Sequence, residues 1–465
     1  MTLDNGKLMQ IDRRSFLKTA GLGASSLLAA QNRPNILWII GDDLGIELGC
    51  YGDSVVKTPN MDRLAAEGVR FTHCFTTAPV CSASRSGFNV GLYQIATGTH
   101  NHRSHRKDGY ELPTGARLIT DRMREAGYFT ANVTEIAPGL KATAKTDFNF
   151  KSAKPFDGTH WNQRQPGQPF FAQINFQAPH KGPAFVAARK QKALMDPAKV
   201  PLPPYYPDHP VVRDEVANYY DAVQLLDHQV GITLKQLEQD GLLDNTVIFL
   251  FGDNGRCLLR GKQWLYDPGT QVPLIVRYPG ILPKGQVRKD PVVALDFNAQ
   301  SLVYAGIPVP KNYHGQPLFG AKPREVVFTA RDRCDMTVDR IRAVRGARYK
   351  LIRNFLPGRP YTQFNEYIKN SYPTLTVLHE LHAQGKLNAV QEQFMAPKRP
   401  EIEFYDLEAD PYEVNNLAES PKHKNLVAEY GVKLNKWLKE MDDKGAVLES
   451  REVLEREEPR LAIKE

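Results

Sequence analysis

The chain reads as an α/β protein with a mostly parallel central sheet flanked by helices and a smaller C-terminal subdomain built on an antiparallel sheet. Three observations predict this: short continuous apolar runs that stop at polar residues, helical patterns between them, and a change near residue 320 to short strand-like runs separated by turns. Asn35-Ile36-Leu37-Trp38-Ile39-Ile40 ends in Gly41-Asp42-Asp43, as a strand covered on both faces does. Residues 246–251 repeat the pattern and end in Gly252-Asp253-Asn254-Gly255. Residues 170–176 form a third run, stopping before Ala178-Pro179-His180, and 272–277 a fourth. Helical spacing occupies 61–67, 116–126 and 214–239. Strands of the second sheet are expected at 325–330, 340–345, 349–354 and 402–407, with an irregular covering stretch at 357–399 and a closing helix at 425–441. The expected organisation is a leader at 1–32, a main domain at 33–320, a C-terminal subdomain at 321–445 and a charged, mobile tail at 446–465.

The leader carries Asp12-Arg13-Arg14-Ser15-Phe16-Leu17-Lys18, then small and apolar residues to Ala30. This resembles a twin-arginine export signal, which implies the twin-arginine translocase as a partner and a periplasmic or secreted protein. The run is too short for the ~20 apolar residues that span a bilayer, and no later segment supplies them, so no integral membrane domain is expected in the mature chain. The formal charge is +8; residues 1–30 carry four basic and two acidic side chains, and without them it is +6, which favours an anionic substrate. The basic residues are scattered, with no Arg/Lys run or zinc-finger spacing, so nucleic acid is not the expected partner. Five widely spaced cysteines exclude a zinc ribbon or a thioredoxin-like pair, and leave open whether those other than Cys81 are thiols or disulfides.

In open α/β sheets, ligands bind beyond the carboxyl ends of the strands, where Asp42, Asp43, Asp253, Asn254 and His180 are expected to converge. The two Asp/Asn pairs form a hard oxygen set suited to Ca²⁺ or Mg²⁺, with Ca²⁺ the better fit; each pair alone also reads as a helix or turn cap. Cys81 precedes a helix read at 82–90, whose first turn favours an anion, and Arg85 lies four residues on, on the same face. Taken by itself, Cys81 is open to two readings: an activated thiolate or a buried small residue.

The ordered set of motifs resembles the type I sulfatases. It comprises Asn35-Ile36 through Gly41-Asp42-Asp43, Thr58-Pro59-Asn60-Met61-Asp62-Arg63-Leu64-Ala65, Cys81-Ser82-Ala83-Ser84-Arg85, and Gly252-Asp253-Asn254-Gly255 with Gly261-Lys262. The resemblance runs from about residue 33 to 440 and implies an alkaline-phosphatase-like fold, one Ca²⁺ and a formylglycine made by oxidising Cys81. It implies that Asp42, Asp43, Asp253, Asn254 and the modified Cys81 hold the metal, and that Arg85 orients the nucleophile. His180 corresponds to the family's Pro-His and serves as general acid, and Lys262 to its sulfate-contacting base. A hydroxyl of hydrated formylglycine then attacks sulfur, and its second hydroxyl drives release of sulfate.

Two departures stand out. Ala83 occupies the usual Pro position, which implies a radical-type formylglycine-generating maturase as partner. The family's Gly-Lys-x-His segment is absent after Gly127-Tyr128-Phe129-Thr130-Ala131; Lys145 is the nearest substitute for its lysine, and His102 or His105 for its histidine. Leu265-Tyr266-Asp267-Pro268-Gly269-Thr270 and Phe404-Tyr405-Asp406-Leu407 resemble the heparan N-sulfatase-like group, which implies a sulfated saccharide substrate, N-sulfoglucosamine first. His102 and Arg331, the latter in the charged stretch from Arg331 to Asp335, are candidate substrate contacts. A phosphodiesterase or phosphonate monoesterase of the same superfamily, and a catalytically silent glycan-binding relative, are the alternatives.

Overall fold

A computed structural model describes residues 33–458; the leader and the last residues of the tail lie outside the described residues. Seven strands form the central sheet: β1 (Asn35–Gly41), β2 (Val69–Phe71), β3 (Phe129–Val133), β4 (Phe170–Phe176), β5 (Thr246–Gly252), β6 (Leu274–Arg277) and β7 (Gln286–Arg288). Their order is β7-β2-β6-β5-β1-β4-β3. β1 runs parallel to β4 and β5, β3 parallel to β4, and β7 parallel to β2, whereas β6 pairs antiparallel with both β5 and β2. The run read at 272–277 is therefore a strand, but it reverses direction within the sheet.

β1 shows why a continuous apolar run is needed at the centre. Its side chains alternate between two cores: Ile36, Trp38 and Ile40 enter one, Leu37 and Ile39 the other. Trp38 meets Phe88, Phe171 and Phe251 edge-on, with ring centroids 5.9, 5.0 and 5.6 Å away. Phe88 belongs to α1 (Cys81–Val90), every residue of which is buried. The opposite face is covered by α2 (Pro210–Gln239), which contributes Val212, Val216, Leu226 and Val230 to the second core. Helices on both faces leave no solvated side to the sheet, so the strands cannot alternate polar with apolar residues.

The second sheet is antiparallel, ordered β8 (Val326–Arg331), β9 (Ile341–Gly346), β10 (Tyr349–Asn354) and β11 (Ile402–Asp406). Val327, Val344, Leu351 and Phe404 pack against Tyr430, Leu434 and Trp437 of α6 (Lys424–Glu440). The stretch expected to be irregular at 357–399 instead contains α3 (Glu366–Ser371), α4 (Pro373–Ala383) and α5 (Ala389–Met395). These helices are short and mostly half-exposed, but Ile368, Tyr372, Leu378 and Phe394 join the α2 side of the main core. In the charged tail, Arg451–Glu457 form a further helix capped by Ser450. All five cysteines are free thiols. No described helix is long and apolar enough to cross a membrane.

Candidate active site

Register assembles the site. Gly41 lies opposite Gly252 in the β1–β5 pairing and opposite Phe176 in the β1–β4 pairing, so three strands end at one rim. Asp42 and Asp43 leave β1, Asp253 and Asn254 leave β5, and His180 follows β4 by four residues. The Asp43 backbone is left-handed (φ 64°), a conformation costing on the order of 1 kcal/mol or more for a residue with a side chain. It is held by its N–H to Asp253 Oδ1 (2.9 Å) and by the Tyr219 hydroxyl donating to its carbonyl (3.3 Å).

Cys81 opens α1, and its Sγ lies 3.5 Å from Asp42 Oδ1, 3.8 Å from Asp43 Oδ1 and 3.2 Å from Lys262 Nζ. Arg85, one turn on, donates from Nε to Asp253 Oδ2 (2.8 Å) and from Nη1 to Asn175 Oδ1 (2.6 Å); its Nη2 is buried without a hydrogen-bond partner. Lys262 Nζ is 2.8 Å from Asp43 Oδ1. Its loop is pinned by the Lys262 N–H to Arg256 O (2.8 Å) and the Gln263 N–H to Pro79 O (2.9 Å). Arg260 in the same loop stacks over Tyr205 and Tyr266, 4.5 and 3.9 Å from the ring centroids. His180 Nε2 is 3.6 Å from Asp43 Oδ2, while Nδ1 lies 2.6 Å from Lys181 O, which fixes the proton on Nδ1 and leaves Nε2 facing the carboxylates.

Electrostatically the cluster is balanced: three buried carboxylates face Arg85, Lys145 and Lys262. Burial pushes Asp42 up, but Lys145, His180, Arg85 and Lys262 together hold it well below the usual carboxylate range. Burial and the neighbouring Asp42 push Asp253 up to about 6 against the pull of Arg85. Burial holds the Cys81 thiol protonated, well above its ordinary range, which disfavours the thiolate reading. The residues fit a hard cation: Asn254 donates Nδ2 to Asp43 Oδ1 (2.8 Å) while its Oδ1 is buried with no hydrogen-bond partner, beside three carboxylates.

The family described as Sulfatase matches residues 34–307, and the description "N-sulphoglucosamine sulphohydrolase, C-terminal" matches 256–396. The chain belongs to the sulfatase family. This sulfatase is 33% identical to an ulvan-active sulfatase of Formosa agariphila over 93% of its own length and 79% of the relative's. It is 26% identical to the human N-sulphoglucosamine sulphohydrolase, covering 88% and 90% of the two chains. Its fold also matches the phosphonate monoester hydrolase of Agrobacterium radiobacter, with a TM-score of 0.63 at 19% identity over 88% and 96% of the chains. Architecture alone therefore does not separate sulfuryl from phosphonyl chemistry.

Of the residues singled out in the sequence, the structure of this sulfatase brings Asp42, Asp43, Cys81, Arg85, His180, Asp253, Asn254 and Lys262 together. Lys145 joins them, 2.8 Å from Asp42 Oδ2. Its loop is tied to the sheet by Asn132 Nδ2 to Ala144 O (2.6 Å) and the Thr143 N–H to Asn175 O (2.9 Å). A cleft of about 510 Å³ opens over the cluster, lined by His102, Arg103, His180, Lys262, Asp335 and Tyr367 among others. His105 stands apart, stacked on Tyr110 and bonded to Asp108. Arg331 does not line the cleft: as the last residue of β8 it is buried, with Nη1 2.5 Å from Asp339 Oδ2. A buried guanidinium needs such a partner, and the pairing holds it away from the substrate path. Cys334 and Asp335 of the same stretch do reach the cleft.

Sequence reading missed the supports. Asn175 sat within an apolar run, and its polarity was the only signal that it anchors Arg85. Thr76 and Ser84 both donate to Asp253 O. Lys181 forms a buried ion pair with Glu215, which also accepts from the Thr374 N–H at the start of α4 (2.9 Å), tying the His180 loop to the helices that wall the cleft.

Proposed function

We propose that this sulfatase hydrolyses sulfate esters or sulfamates of a sulfated saccharide, through a formylglycine made from Cys81 and with Ca²⁺ held by Asp42, Asp43, Asp253 and Asn254. The observation that carries this reading is the seating of Cys81 Sγ between Asp42, Asp43 and Lys262 at the mouth of a helix, beside the unpartnered Asn254 oxygen. When bound, Ca²⁺ supplies Lewis-acid polarisation of a sulfate oxygen. The hydrated aldehyde supplies the oxygen nucleophile that a protonated thiol does not.

The chain's own residues do the rest. Arg85, locked by Asp253 and Asn175, offers Nη2 to the nucleophile. Lys145 and Lys262 offer ammonium donors to sulfate oxygens as charge develops on them. His180, its Nδ1–H donated to Lys181 O, presents Nε2, and as the doubly protonated imidazolium it gives the Nε2 proton to the departing oxygen or nitrogen. The relatives named for ulvan and for N-sulphoglucosamine support a saccharide substrate, and a cleft of this size suits the end of a sugar chain. The Ala83 position supports a radical-type maturase, and the twin-arginine leader supports export to the periplasm or medium; subcellular fractionation tests the latter.

The test is mass spectrometry of the Cys81 peptide after co-expression with a radical-type maturase, paired with assays on N-sulfoglucosamine, ulvan oligosaccharides and matched phosphodiesters and phosphonates. Replacement of the Cys81 sulfur by oxygen with loss of two hydrogens is expected, together with sulfate release from the sulfated saccharides. A strong phosphodiester or phosphonate preference would overturn the sulfatase chemistry, and an unmodified thiol with retained glycan binding would identify a binding protein.

A further inference from the structure

Beside the catalytic cluster, the cleft holds a second group of ligand-type side chains that no catalytic step uses. His102 Nε2 lies 3.7 Å from Asp335 Oδ1, Cys334 Sγ lies 4.0 Å from Asp335 Oδ2, and one ligand atom from each of the three falls within 4.8 Å of the others. A tetrahedral Zn²⁺ with bonds of ~2.0–2.3 Å has ligand atoms roughly 3.5 Å apart, so these separations need only small closure. Imidazole, thiol and carboxylate together select a borderline-soft ion, in contrast to the all-oxygen set around Asn254.

The group is built rather than accidental. The Cys334 N–H and carbonyl both bond to Thr337 (3.0 and 2.9 Å), closing a tight turn in which Asp335 is left-handed (φ 48°). Asn365 Nδ2 fixes the Cys334 carbonyl (3.1 Å). The His102 N–H bonds to Arg333 O (2.9 Å), and the Arg333 N–H to Asn101 Oδ1 (3.0 Å), so the two segments are stitched together. His102 Nδ1 is 3.0 Å from Ser82 Oγ, a partner that can accept the Nδ1 proton and leave Nε2 free to ligate. His102 and Cys334 are almost fully buried, yet both line the cleft with Asp335, so an ion there has protein on one side and an open position on the other.

We propose that His102, Cys334 and Asp335 form a second cation site, for Zn²⁺ or a similar borderline-soft divalent ion, whose open position faces the cleft, so that the bound ion competes with substrate. Binding releases the Cys334 proton to solvent, so affinity rises with pH. The site itself stands on its own geometry; competition rests on the cleft being the substrate path.

The experiment titrates Zn²⁺ into the full chain held in excess Ca²⁺, by calorimetry, with Co²⁺ as a spectroscopic substitute. One bound ion is expected, with a thiolate-to-cobalt charge-transfer band, and both should be lost in Cys334→Ser and in Asp335→Asn and retained in Cys81→Ser. Two substitutions are named so that one folded variant suffices. Binding that survives both, or that disappears in Cys81→Ser, overturns the site. With the site occupied, Zn²⁺ should raise KM for the sulfated substrate several-fold in the parent and not in Cys334→Ser. Tight binding without that rise overturns competition alone, and failure of sulfate hydrolysis in every variant leaves the binding result intact.

Discussion

Gly41 and Gly252 stand opposite each other at the ends of two parallel strands, and that register brings Asp42 and Asp43 against Asp253 and Asn254. Both strand ends are crowded against the Leu44 turn: a Cβ on Gly252 would meet Leu44 O at 2.2 Å, and one on Gly41 would meet Leu44 Cβ at 2.9 Å. The glycines thus let the following turns cross closely enough for four oxygen-bearing side chains to share one space.

The pairing of Arg85 with Asp253 and Asn175 uses the planar fork of a guanidinium. Arg85→Lys keeps the charge but serves only one of these partners. We expect turnover to fall by about 100-fold or more, with KM changed less. Turnover within a few-fold of the parent would remove Arg85 from the proposed mechanism.

Asn254 Oδ1 is a buried acceptor without a hydrogen-bond partner, and the proposed Ca²⁺ would complete it. Added Ca²⁺ is expected to raise the melting temperature, with about 2.7 kcal/mol of stabilisation at 100 times Kd, and chelation should reverse it. Asn254→Leu should blunt that response. Thermal denaturation across a Ca²⁺ series checks this, and an equal Ca²⁺ response in the variant would show that the ion binds elsewhere.

Lys181 and Glu215 are both buried, and removing one partner strands the other charge. Glu215→Gln is expected to cost about 3–5 kcal/mol and to lower turnover, because the Lys181 carbonyl holds His180. The double substitution Lys181→Met/Glu215→Met removes both charges and should regain part of that stability. Denaturant unfolding of the three proteins measures it; a double variant no more stable than Glu215→Gln would contradict the stranded-charge account.

Burial pushes the His314 pKa down from 6.5 to about 4, and its Nδ1 accepts the Tyr93 N–H at 3.0 Å. Above pH 6.5 the folded and unfolded forms are both neutral. Between 6.5 and 4 the unfolded chain takes up a proton that the folded chain resists, so stability is full above that window and is lost as the pH falls through it. His314→Asn should flatten the decline in melting temperature over that window. An unchanged slope would assign the acid sensitivity to other groups.

How far the sequence could be read follows the same physics. The strands at 35–40, 170–176 and 246–251 were legible because a sheet covered on both faces demands unbroken apolar runs, and the polar residues that stop them mark the rim of the site. The direction of the run at 272–277 was not legible, since a buried strand has the same composition whether parallel or antiparallel. The helices between 366 and 395 were missed because only a few of their side chains reach the core, so their apolar spacing is weak.

By itself, the sequence determined the α/β class, the polar pairs that end two of its strands and the Cys81–Arg85 turn, because each depends on residues close in the chain or on the period of one element. Only the tertiary structure decided that Lys145 reaches Asp42 from a loop 103 positions away and that Asn175 anchors Arg85. It also decided that Arg331 is withdrawn into an ion pair with Asp339, and that His102 meets Cys334 and Asp335 across the cleft. All but the Arg331–Asp339 pair, eight positions apart, join segments distant in the chain, and their geometry is set by strand register and by the need of each buried charge for a partner, neither of which any local pattern records.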